Sequence, residues 1–218
     1  MTSAWVDIVH NDSHVIALRS DRHVYNLFGG GVDRGETPRD AARRELFEEA
    51  GVAVISSNLK NDITVCKNTA HVFEYRPGTS KITITLNDEN RVYYWCTLGD
   101  IARLPLHAVT QAWIVKKLRF EKEELRRETR IRAFVGVSEV GEVTVSHGIN
   151  LIHGFNVISD YRDKGFGRAL MEHVIANFEG SLRLHAFPDT GTIPHKQLVA
   201  FYESLGFKNA GPHMIRNS

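Results

Sequence analysis

The chain is 218 residues long, with 42% hydrophobic and 24% charged residues and a formal net charge of +1. That length falls between one large domain and two small ones, and 17 Gly and 6 Pro are too few for a low-complexity protein. The near-neutral balance argues against a dedicated duplex-DNA binder, and no run approaches the ~18 consecutive apolar residues of a membrane span.

Residues 5–9 and 14–18 read as short strands around a turn at Asn11-Asp12. The cluster Gly29-Gly30-Gly31 opens a loop ending at Thr37-Pro38. Thr37 can cap a helix, Pro38 suits its first position, Asp40 favours its positive start and Gly51 fits just past its end, which predicts a helix over 38–50. Strand-like segments follow at 63–65, 70–75, 81–86 and 91–96. A helical stretch is expected over 109–127, and the densely charged run that continues it is read as a helix linking two domains over 119–130. Strands at 131–137, 142–147 and 150–158, a helix at 167–178, a strand at 182–187 and a helix at 196–205 complete the pattern. Cys66 and Cys96, without metal-ligand spacing, read as buried thiols in a reducing cytosol rather than a disulfide. The N-terminus lacks a secretion pattern and the C-terminus a lipidation motif, so the expectation is a soluble cytoplasmic protein.

Within the helix over 38–50, Glu45, Glu48 and Glu49 fall on one face at spacings of three and four. Like charges so placed want a cation, and hard divalent ions take oxygen ligands alongside phosphate-bearing substrates. On spacing alone, an acidic surface helix laced with Arg39, Arg43 and Arg44 is the simpler reading. The wider stretch changes that balance. GGVDRGETPRDAARRELFEEAGV, residues 30–52, resembles the complete Nudix box, with Gly30, Glu36, Arg44, Glu45, Leu46, Glu48, Glu49, Gly51 and Val52 at the required spacing. The resemblance implies an α/β/α sandwich with a mixed sheet over residues 1–118, hydrolysing a nucleoside diphosphate linked to another group. It also implies Glu45, Glu48 and Glu49 as ligands to magnesium or manganese, Arg44 as their brace, and Glu36 as a support of the loop or a further reach to the metal. A base from a later loop would be Glu89 or Asp88, against a plain polar turn at 87–90. The substrate is not specified. Tyr25, Phe28, Tyr93, Tyr94 and Trp95 could stack on a base, though core packing is their default.

The second half carries NVISDYRDKGFGRALMEHVI, a strand, a glycine turn and a helix start suited to phosphate. Arg162-x-x-Gly165-x-Gly167 resembles motif A of the GNAT acetyltransferases, and HKQLVAFYESLGF resembles their second signature, with Tyr202, Gly206 and Phe207 matching and His195 replacing a common asparagine. The resemblance implies a short GNAT-like mixed sheet with flanking helices over 131–218, binding acetyl-CoA. Backbone near Val157 would meet the pantetheine arm. Arg162, Lys164, Gly165, Phe166, Gly167 and Arg168 would surround the pyrophosphate, and Tyr202 would protonate the departing thiolate. His153, His173, His185 and His195 are available as a base, and none is singled out. The domain is short, with the family's first strand and first two helices largely absent unless the charged linker helix substitutes for one.

The leading expectation is therefore a bifunctional enzyme, a metal-dependent Nudix hydrolase fused to an acyltransferase, with a nucleotide-type small molecule and acetyl-CoA as partners. Membrane is excluded as a partner, nucleic acid is disfavoured, and assembly as a homodimer is left open. One alternative keeps the GNAT-like part for CoA binding or assembly alone. A second is RNA-end processing, with Lys116, Lys117, Arg119, Arg126 and Arg127 as a basic patch.

Overall fold

Asn11 and Asp12 both take left-handed φ, 49° and 58°. This is the primed-turn geometry whose twist suits paired strands, and it joins β1 (Ser3–His10) to β2 (Ser13–Arg19). The computed structural model describes residues 1–78, 82–187 and 193–217. It divides into two units, Met1–Lys117 and Leu118–Ser218.

In the first unit β1 is the spine. It pairs antiparallel with β4 (Phe28–Gly31), parallel with β6 (Ala70–Tyr75) and, at its far end, with β2. β5 (Leu59–Val65) lies outside β6, while β3 (Tyr25–Asn26) and β7 (Asn90–Cys96) flank β2. Alternation along β1 divides its side chains between two faces. Ala4, Val6 and Ile8 pack against Ala41, Ala42, Leu46 and Ala50 of α1 (Pro38–Ala50). On the other face, Trp5 stacks on His107 at 5.0 Å, and Asp7 pairs with His14, whose ring meets Trp113. Trp113 belongs to α3 (Ala108–Lys116), which follows the short α2 (Leu98–Arg103). Helices thus cover both faces of a mixed sheet, the expected α/β/α arrangement.

The second unit opens with an antiparallel meander, β8 (Leu118–Glu124), β9 (Glu128–Val135), β10 (Ser138–Ser146) and β11 (Leu151–Val157). After α4 (Phe166–Asn177), β12 (Leu182–Leu184) joins parallel to β11. After α5 (His195–Glu203), the strands β13 (Lys208–Ala210) and β14 (His213–Arg216) close the order β13-β14-β12-β11-β10-β9-β8. One face buries Ile131, Ala133, Val143, Val145, Ile152 and Leu184, and α4 packs on β10 and β11.

Three expectations are corrected. The linker helix over 119–130 does not form: β8 and β9 occupy that stretch as a hairpin. Its charges alternate with period two, so Glu121 pairs across the ladder with Arg132, and Glu123 with Arg130, at 3.7 Å in each case. Opposite charges in register stabilise a strand pair as well as they would a solvated helix face. The strand expected over 81–86 is absent where it is described, Lys81 lying outside the described residues. Instead, Thr85 N donates to Ala50 O (2.9 Å) and Asn87 N to Glu49 O (3.3 Å), satisfying carbonyls that the end of α1 leaves open. Finally, Cys66 is exposed, at φ 52° in the turn after β5, and Cys96 is half-buried; both are free thiols.

Among the described residues no helix is long and apolar enough to cross a membrane.

Candidate active site

The first candidate centre is built by α1 and the glycine loop before it. Thr37 caps the helix, its Oγ1 accepting from Asp40 N (3.2 Å), and Gly51 ends it at φ 65°. Such an N-cap contributes about 1 kcal/mol. Leu46 anchors one side of α1 in the core, fully buried. The opposite side presents Arg44, Glu45, Glu48 and Glu49 to the loop.

Arg44 is the hub. Its Nε and Nη2 donate to both oxygens of Glu36 (3.1 and 3.0 Å), Nη2 also to Gly31 O (2.9 Å), and Nη1 to Glu45 (2.9 Å) and Glu48 (3.2 Å). Glu36 also accepts from Asp33 N (3.1 Å), and with Arg44 this holds its carboxyl below the usual range. The structure thus places Glu36 in the brace of the loop. Gly30 is required by Glu45: a Cβ there would lie 2.5 Å from Glu45 Oε1.

Glu49 is 2% exposed and accepts from Gly29 N at 2.8 Å. Burial pushes its pKa up to about 7, against that hydrogen bond and with the added charges of Glu45 and Glu89. Glu45 is raised also, chiefly by burial. Among the described residues no three acidic, His or Cys side chains converge closely enough to enclose an ion as they lie. The donor set nevertheless fits a hard divalent cation. It is all oxygen, it carries more carboxylates than the single guanidinium balances, and the loop leaves the Glu45 carboxylate its place over Gly30.

Glu89 enters this centre from outside the box. Its turn is tied on one side by Asn87 N to Glu49 O, and on the other by Ser20 N to Glu89 O (2.7 Å), with Arg19 Nη2 3.6 Å from Glu89 Oε2. Arg19, held also by Asp21 (2.8 Å), was not singled out from the sequence. It reaches the site only through the pairing of Arg19 with Asn90 across β2 and β7, which no local signal reveals. Of the aromatics, Phe28 is core, Tyr25 and Tyr94 approach each other at 6.3 Å, and Tyr94 and Trp95 remain partly exposed. The basic residues at 116–127 form no helical patch: Lys117 lies over Trp113, Arg119 pairs with Glu121, and Arg126 and Arg127 stand in the β8–β9 turn.

The second candidate centre lies where β11 meets α4. Gly165 caps α4 at φ 91°, and a Cβ on Gly167 would sit 3.2 Å from Val157 Cγ2. Arg162 Nε donates to Val157 O (2.8 Å) and Lys164 Nζ to Asp160 O (2.8 Å), so both brace the turn. Arg168 bonds Ser204, the residue that caps the end of α5, and Phe166 is buried, edge-on to Tyr161. These two secure helices and core, which leaves the backbone amides at the start of α4 as the anion-attracting groups. Tyr202 is buried against Phe155 and Phe207. The ladder of β11 and β12 is registered at Leu151/Arg183 and Ile152/Leu184 and ends there. Beyond it β11 carries a bulge with Gly154 at φ 62°.

A family model of the NUDIX domain matches residues 2–118, and one of the GNAT acetyltransferase domain matches 122–209. An RNA pyrophosphohydrolase of Aliivibrio fischeri is 37% identical over 60 residues, 28% of this chain and 32% of that protein. One from Aeromonas hydrophila is 36% identical over 70 residues, 32% and 37% of the two chains. The matched segment thus spans about a third of the length of these curated relatives. Among solved structures, a C. elegans Ap4A hydrolase complex is similar at 20% identity and TM-score 0.41, over 53% of this chain and 94% of that one.

Proposed function

Because the chain belongs to the Nudix family and carries a GNAT acetyltransferase domain behind its Nudix domain, we propose a two-headed enzyme that hydrolyses a nucleoside diphosphate linked to a second group, and transfers an acyl group from acetyl-CoA to an amine. The observation carrying the first activity is the Arg44 hub, which presents Glu45 and Glu48 beside the buried Glu49. Glu45, Glu48 and Glu49 would hold magnesium or manganese, which supplies charge neutralisation at the pyrophosphate and an activated water. Arg44 and Glu36 keep loop and helix in one geometry, and Gly30 admits the Glu45 carboxylate. Glu89, carried to the Glu49 end of α1 by its tied turn, is the carboxylate outside the box that takes a proton from the attacking water.

The transferase reading rests on the start of α4, capped by Gly165, and on the parted ladder. The first amides of α4 would face the pyrophosphate of acetyl-CoA, and the edge of β11 would pair with its pantetheine arm as an added strand does. Tyr202 would return a proton to the thiolate. A nucleotide-type small molecule is the favoured hydrolytic substrate. An RNA 5′-end is the second reading, favoured by similarity to the RNA pyrophosphohydrolases. Magnesium-dependent hydrolysis of ADP-ribose, a dinucleoside tetraphosphate and 5′-triphosphorylated RNA, run with the wild type and Glu48→Gln, tests the reading. Turnover that Glu48→Gln removes is expected; equal turnover by the two proteins rejects the assignment.

A further inference from the structure

Where β11 and β12 part, β11 carries one histidine and a second directly follows β12. Their parallel register ends at Ile152/Leu184, whose side chains are buried. The next residues, His153 and His185, therefore point to the opposite face of the sheet, and both are exposed. The two rings differ in what holds them. His153 Nε2 lies 3.5 Å from Glu128 Oε2, drawn toward β9. His185 Nδ1 lies 3.0 Å from Pro212 O, an acceptor without a proton, so Nδ1 carries a hydrogen and, in the neutral ring, Nε2 is the nitrogen with the lone pair. His213 sits edge-on to it, ring centroids 4.8 Å apart.

The length of the open strand places the acyl group at this point. From Val157, beside the α4 turn, to His153 is four residue steps, which the bulge at Gly154 shortens to the span of three partner steps, Gly141 to Thr144 of β10, about 10 Å. A pantetheine arm, roughly twelve chain atoms with two amides, has the reach of about four extended residues. An arm starting at the turn, about one residue beyond Val157, and lying along β11 brings its thioester to the level of His153 and His185.

Resting on the acetyl-CoA reading above, we propose that His185 is the catalytic base of acyl transfer and that the acceptor amine approaches from the exposed sheet face. The amine nitrogen bonds to the thioester carbonyl carbon, its proton passes to His185 Nε2, the C–S bond breaks, and the thiolate takes a proton from Tyr202. The products are an amide and free CoA.

The test uses the full chain, with acetyl-CoA binding measured by calorimetry and thiol release measured with a polyamine, lysine, glucosamine and phenylethylamine. His185→Asn keeps a donor for Pro212 O and removes the lone pair at Nε2; His185→Gln serves if the first variant fails to fold. The expected result is a kcat reduced about 100-fold or more, with the KM for acetyl-CoA and its affinity unchanged. A kcat within about threefold of wild type overturns the assignment and leaves the transferase reading standing. Acetyl-CoA binding with no wild-type turnover on any amine overturns it as well. Absence of binding by the wild type overturns the transferase reading on which it rests.

Discussion

Where the Glu45 carboxylate can lie is decided by Gly30 beneath it and Arg44 beside it. A methyl group at 30 would contact the far end of a flexible side chain, which can move, so the fold survives Gly30→Ala while the carboxylate is displaced. The expected outcome is a melting temperature close to wild type with hydrolysis largely lost; retained hydrolysis would show that the position of Glu45 is immaterial. The box motif gave these residues by name because their roles depend on spacing along one helix. Glu89 was legible only as one of two acids near a turn, and Arg19 not at all, since both arrive by the pairing of β2 with β7.

Elements show the same division between local and distant causes. α1 was readable to its bounds because Thr37, Pro38 and Gly51 act within a turn of where they stand. Thr37→Ala is expected to cost about 1 kcal/mol, measured by urea denaturation. Residues 119–130 were misread because a charge run is ambiguous until its partner strand is known, and the partners, Arg130 and Arg132, lie beyond the turn. The start of α3 adds a pH dependence. His107 Nδ1 accepts from Val109 N (3.4 Å), and burial, chiefly, lowers its pKa from 6.5. A depressed folded pKa contributes stability that is present above the unfolded value and lost as pH falls through the folded one. Stability should therefore drop more steeply below pH ~6.5 in the wild type than in His107→Asn, which keeps a cap without titrating. Parallel pH curves for the two proteins would deny His107 that role.

At the scale of the whole molecule, two units with separate cores and separate centres make one chain. Each centre depends on a glycine-bearing segment that leads into a helix, and each has a glycine with little room for a Cβ, which would lie 2.5 Å from Glu45 Oε1 at Gly30 and 3.2 Å from Val157 Cγ2 at Gly167. Both motifs were visible in the sequence because such loops tolerate few residues. The faces and edges that position Glu89 and His185 were not visible, being products of register. Gly165→Glu places bulk and negative charge where pyrophosphate is to bind. The most direct test assays wild type, Glu49→Gln and Gly165→Glu side by side for magnesium-dependent hydrolysis across nucleoside diphosphate derivatives and for acetyl-CoA binding. A crossed pattern is expected: Glu49→Gln loses hydrolysis and binds acetyl-CoA as the wild type does, and Gly165→Glu does the reverse. Hydrolysis unchanged in Glu49→Gln, or acetyl-CoA binding unchanged in folded Gly165→Glu, would contradict the account.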